Sequence, residues 1–97
     1  MKKKLTFRGQ PVKISAESYR VNGTLALMLT HRNGDRDVLT VNLGNPFQSE
    51  TRAFLDTNNY PDAESFILEN GLGTATGISA RSGFCLYPLY AINTDAL

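Results

Sequence analysis

The chain has no tryptophan, one cysteine, one histidine and a net charge of only +1 over 97 residues, and each shortage closes a class of function. A lone Cys85 excludes an internal disulfide framework, and with it comes the expectation of a reducing, cytoplasmic location. One cysteine and one histidine cannot complete a zinc site, and no aspartate-rich loop has calcium-ligand spacing, so no metal is expected. No apolar stretch approaches the roughly 18 residues of a spanning helix, and Met1-Lys2-Lys3-Lys4 leads into alternating residues instead of a secretory core, so no membrane is expected. The small net charge argues against a phosphate-binding surface over the whole molecule. Lys2, Lys3 and Lys4 make a basic end, read as a solvated terminus. Gly71-Leu72-Gly73-Thr74 lacks the lysine of a phosphate loop and follows a helix where such a loop precedes one. No cofactor is expected.

What is present fits a folded domain, with 41% apolar and 20% charged residues. Residues 1–97 are read as one domain, because a second core would need roughly 50 residues more. The fold expected is α+β: an antiparallel sheet of consecutive hairpins, a meander, with one short helix packed on one face.

The hairpins follow from alternation and turn chemistry. A two-residue turn at Gly9-Gln10 sets Phe7 opposite Val12 and Leu5 opposite Ile14, with Pro11 marking a sheet edge. Thr24 to Thr30 and Arg36 to Leu43 alternate about Arg32-Asn33-Gly34. A three-residue loop with Gly34 left-handed pairs Leu27 with Leu39 and Leu25 with Val41, giving one apolar face. Val21-Asn22-Gly23 supplies the intervening turn, so 12–43 form the meander. Leu43 to Arg52 read as a connecting loop, and Ala53 to Leu55 as a short strand.

The helix is expected from about Pro61 to Asn70. Proline suits the first turn, Asp62 and Glu64 suit its positive end, and Asn59 or Tyr60 takes the cap. Gly71-Leu72 reads as a left-handed stop in which Leu72 folds back toward Ile67. Ala63, Phe66 and Ile67 share the inward face. Phe84 to Ile92 is apolar at both parities, as for a strand covered on both faces, and Pro88 demands a bulge or an edge there.

Chemistry-bearing residues are few. A nucleophilic Cys85 would need a base, and the sole histidine, His31, sits at a hairpin tip. Cys85 is read as a buried small hydrophobe, His31 as an exposed turn residue, and Asp35 and Asp37 as solvated turn residues; no enzyme is expected. Asp56, Thr57, Asn58, Asn59 and Tyr60 form a dense polar run before the helix, with two readings: a recognition loop, or side chains that satisfy turn and cap amides. Arg81 lies in Ala80-Arg81-Ser82-Gly83, read as a small-residue loop with a binding or a turn role. Tyr19, Tyr60, Tyr87 and Tyr90, with scattered arginines, raise a base-stacking platform for single-stranded nucleic acid, weakened by the lack of a basic stripe.

Gly23-Thr24-Leu25-Ala26-Leu27, Leu39-Thr40-Val41-Asn42-Leu43, Phe54 to Asn59, Phe66 to Gly73 and Ser82 to Tyr90 together resemble a small bacterial domain-of-unknown-function family, numbered 4313. The resemblance covers nearly the whole chain and carries no assigned activity or catalytic residues. It implies a protein of phages, plasmids and conjugative elements, and from that a partner among host or defence proteins, as for an inhibitor of restriction or CRISPR systems. The function expected is a non-enzymatic protein-interaction module, monomeric or weakly dimeric, using a strand edge or the Asp56 to Tyr60 loop. Single-stranded nucleic-acid binding is the alternative.

Overall fold

The computed structural model describes residues 5–97, so the basic run Lys2 to Lys4 lies outside the described residues. Among the described residues, eight strands divide between two antiparallel sheets where the sequence pattern implies one. The first is a meander of β1 (Leu5–Phe7), β2 (Gln10–Ser18), β3 (Leu25–His31) and β4 (Arg36–Val38), neighbours in space as in sequence. The second takes β5 (Thr40–Val41), β6 (Arg52–Leu55), β7 (Gly73–Ser82) and β8 (Cys85–Ile92), in the spatial order β5-β6-β8-β7. Helix α1 (Ala63–Glu69) links β6 to β7, and a short 3-10 turn, Thr94–Ala96, follows β8. The α+β class and the hairpin construction match the expectation from sequence.

The first turn is Arg8-Gly9, not Gly9-Gln10. Both residues take positive φ, 53° and 77°, the pattern of a two-residue turn whose twist matches its strands. Leu5 therefore faces Val12 and Phe7 faces Gln10, a register two residues away from the expected one that keeps the same apolar face. Pro11 precedes the β2 stretch that pairs with β3, Val12 to Ser18, so its missing amide hydrogen deprives no ladder there.

The second turn follows the sequence reading: Gly34 has φ 94°, and Leu39 N–H donates to Leu27 C=O at 2.9 Å. Beyond Leu39 the expected strand to Leu43 breaks away. Val41 pairs with Phe54, not Leu25, and Leu25 N–H donates instead to Ser49 C=O. Leu39 is the joint: its amide serves the first sheet while its carbonyl accepts from Asp56 N–H at 2.7 Å. Next to it, buried Thr40 Oγ1 accepts from Leu27 N–H and lies 2.8 Å from the Tyr19 hydroxyl, which satisfies the polar group that crosses between sheets.

Helix α1 begins at Ala63 with Asp62 as its cap residue, later than Pro61 and with neither Asn59 nor Tyr60 at the cap. Its end is as expected. Gly71, at φ 64°, donates to Leu68 C=O, and Leu72 N–H reaches back to Ile67 C=O, the paired bonds of a left-handed stop. At seven residues the helix has little stability alone, so its place comes from burial of Ala63, Phe66 and Ile67. These pack in one cluster with Leu27 and Leu29 of the first sheet and Leu55 and Tyr90 of the second.

Strand β8 is only half covered. Leu89, Tyr90 and Ile92 are buried, but Leu86 is exposed and Phe84 sits outside the strand in full solvent, so the expectation of cover on both faces fails for the first half. The cause is strand length: β6 pairs only with Leu89 to Ala91 and leaves Cys85 to Pro88 with one neighbour. The irregularity expected at Pro88 is present, with the register shift falling between Ala75 and Ser79 on β7 around Gly77.

Candidate functional site

The polar run before the helix is mostly consumed by its own geometry. Asp56 is buried, and its carboxylate accepts from Asn59 N–H and Asn59 Nδ2 while its carbonyl accepts from Tyr60 N–H. Tyr60 is half-buried, its ring tilted against Phe7, and its hydroxyl donates to Asp37 at 3.0 Å. Thr57 is half-buried, and Asn58 and Asn59 are the exposed members.

Around that loop runs an electrostatic clasp that the sequence order hides. His31 Nε2 lies 2.6 Å from Asp37 Oδ2, so His31 is a half-buried partner and not an exposed turn residue, and Asp37 is not merely solvated. The His31 contact, reinforced by Tyr60, holds the Asp37 carboxyl below the usual carboxylate range against the opposing effect of burial. Burial first, then Asp37, pushes the Tyr60 phenol up. Arg8 grips Asp62 with Nε and Nη2, both at 2.9 Å, and its guanidinium lies over the Phe7 and Tyr60 rings. That bidentate grip depresses the Asp62 carboxyl and raises the Arg8 guanidinium. The pair is largely exposed, so it positions the first hairpin against the helix start and adds little to stability. Asp37, His31 and Tyr60 have no nucleophile among these partners, and no group of three His, Cys, Asp or Glu among the described residues could hold a metal.

The tyrosines do not share one face. Tyr90 is 1% exposed and donates to Glu64 Oε1 at 2.7 Å, while the hydroxyls of Tyr19 and Tyr60 are engaged with Thr40 and Asp37. A stacking platform of all four is therefore not assembled. Cys85 is half-buried where full burial was expected, on the same ribbon as Tyr87, whose phenol it helps to push up.

Two of the large apolar side chains left exposed among the described residues lie on that ribbon, with Val21, Phe47 and Leu68 exposed elsewhere. Ser79 to Ser82 pair with Cys85 to Pro88 and with nothing else among the described residues, joined by a two-residue turn with Gly83 at φ 61°. Arg81 is thus a strand residue opposite Leu86, not part of a loop, and no hydrogen bond or ion pair joins it to the Asp56 to Tyr60 run among the described residues. Alternation puts Ser79, Arg81, Leu86 and Pro88 on one face and Ala80, Ser82, Cys85 and Tyr87 on the other. Phe84, at the tip, is fully exposed, and Leu86 is 57% exposed beside Arg81. The sequence reading sets Phe84 inside a buried strand; the signal for its true place was glycine between two short alternating runs.

No helix among the described residues is long and apolar enough to cross a membrane. Comparison with known families matches residues 13–97 to the model described as Domain of unknown function (DUF4313). Neither the curated proteins nor the solved structures contain a match.

Proposed function

The chain belongs to the DUF4313 domain family, and we propose that it works as a non-enzymatic protein-interaction module whose contact surface is the tip of the β7–β8 ribbon. The observation that carries this reading is the full exposure of Phe84 next to half-exposed Leu86 on a two-stranded extension of the sheet. A two-stranded ribbon is marginal by itself, and an aromatic side chain at its turn adds no packing to the fold. Aromatic anchors of this kind supply much of the energy of protein interfaces when they enter a pocket on a partner. The family resemblance supports a partner among the host or defence proteins that a phage or mobile element meets.

The test is capture from nuclease-treated host lysate by tagged protein, compared with the double variant Phe84→Ala, Leu86→Ser. The double variant should lose the partner and keep its thermal midpoint within about 2 °C, since Phe84 is fully exposed and Leu86 more than half exposed. Retained capture, or loss on Asn58→Ala with Asn59→Ala instead, would move the contact surface to the loop before the helix. A partner that disappears with nuclease would overturn the reading in favour of nucleic acid.

A further inference from the structure

Strand β7 is the outer strand of its sheet, and along the ribbon no described strand pairs with its free side. The turn decides which backbone groups lie on that side. A two-residue turn makes Ser82 and Cys85 the hydrogen-bonded pair that closes the ribbon, after which bonded and non-bonded pairs alternate. Ala80 and Tyr87 are then bonded, and Arg81–Leu86 and Ser79–Pro88 are not. Pro88 has no amide hydrogen and fits only a non-bonded place, which checks the assignment independently. The N–H and C=O of Ser79 and of Arg81 therefore face outward, two donors and two acceptors arrayed for one antiparallel strand.

We infer that a second copy of this chain supplies that strand, an inference that rests on reading the ribbon as a contact surface and fixes what covers its edge. A two-fold axis at Ala80 brings Ser79 of each copy opposite Arg81 of the other. Each such pair exchanges two bonds, so every outward group on both edges finds a partner. Ala80 then meets its own counterpart in a non-bonded pair, where Cα atoms approach to about 4.5 Å and the two side chains lie directly opposite. Its face of the ribbon carries no charge. Strand β7 has no proline to block pairing, and its residues beyond the bulge stand free of any described strand on the outer side. The bulge at Gly77 confines pairing to the half of β7 beyond it. An edge of this length buries less than the ~1,200 Å² of a stable interface, so the dimer is weak and dissociates on dilution.

Sedimentation over a wide concentration range reads the result directly. The wild type should rise toward twice the monomer mass. Ala80→Glu and Ala80→Lys should each stay monomeric, because like charges would face each other at the axis, and their equal mixture should dimerise again. Ser79→Pro, which removes an outward amide and none of the β8 ladder, should also stay monomeric and serves if the charge variants do not fold. A wild type that is monomeric at every concentration, or charge variants that dimerise as it does, overturns the inference. A monomer that captures its partner through Phe84 overturns the dimer alone; a dimer whose Phe84 and Leu86 variant still captures the partner overturns the proposed function alone.

Discussion

Removing one hydroxyl from Tyr90 tests the packing account most directly. Its ring is buried between the second sheet and the helix, and its O–H donates to Glu64 on α1 at 2.7 Å. Tyr90→Phe keeps the ring and deletes only that bond. A hydrogen bond to a charged group is worth ~1.5–3 kcal/mol, and half-buried Glu64 regains water once the hydroxyl is gone, which favours a loss of about 1.5 kcal/mol in urea denaturation near neutral pH. For a chain of this size that is a fall of about 6–12 °C in midpoint. The same bond makes stability depend on alkaline pH. Burial, then Glu64, pushes the Tyr90 phenol up to about 12, above the ~10 of an unfolded tyrosine. The folded state thus holds this proton more tightly. Its contribution is complete below pH ~10 and is lost as pH rises through the folded value. Tyr90→Phe should therefore show a shallower alkaline loss than the wild type. A variant within about 0.5 kcal/mol of wild type, or a wild type whose stability is flat from pH ~9 to ~12, would refute the reasoning.

Two further outcomes follow from the geometry. Gly73→Ala should cost ~1–3 kcal/mol in chemical denaturation, because an added Cβ would stand 2.5 Å from Ala91 O and 2.9 Å from Ile92 Cδ1, and the backbone oxygen cannot swing away. On the acid side, Asp37 and Asp62 both lie below the ordinary carboxylate range in the folded state. Their contribution is complete above that range and lost as pH falls through the folded values, at about 1 kcal/mol or less each given their exposure. Asp37→Asn with Asp62→Asn should flatten the acid limb of a urea-midpoint titration, and an unchanged limb would show that other carboxyls set it.

What the sequence by itself determined is what neighbouring residues decide among themselves. Alternation and Asn33-Gly34 specified the second hairpin down to the Leu27–Leu39 pair, and Gly71-Leu72 specified how the helix stops, because each depends on turns and faces a few residues long. The first hairpin shows the limit of that reasoning: Gly9 marked the turn, but a shift of two residues preserves the apolar face, so pattern alone did not choose the register. Only the tertiary structure decided that Thr40-Val41 leaves the first sheet. The competition was between Leu25 and Phe54 as partner for Val41, and residues far along the chain settled it. The same holds for Asp37 and Tyr60, which meet across 23 residues with His31 on the same carboxylate, and for the tip of the ribbon. Phe84 to Ile92 is uniformly apolar, yet β6 ends too soon to cover its first half, and strand order makes β7 an edge. Burial and edges belong to the whole fold, since both depend on which strand lies next door.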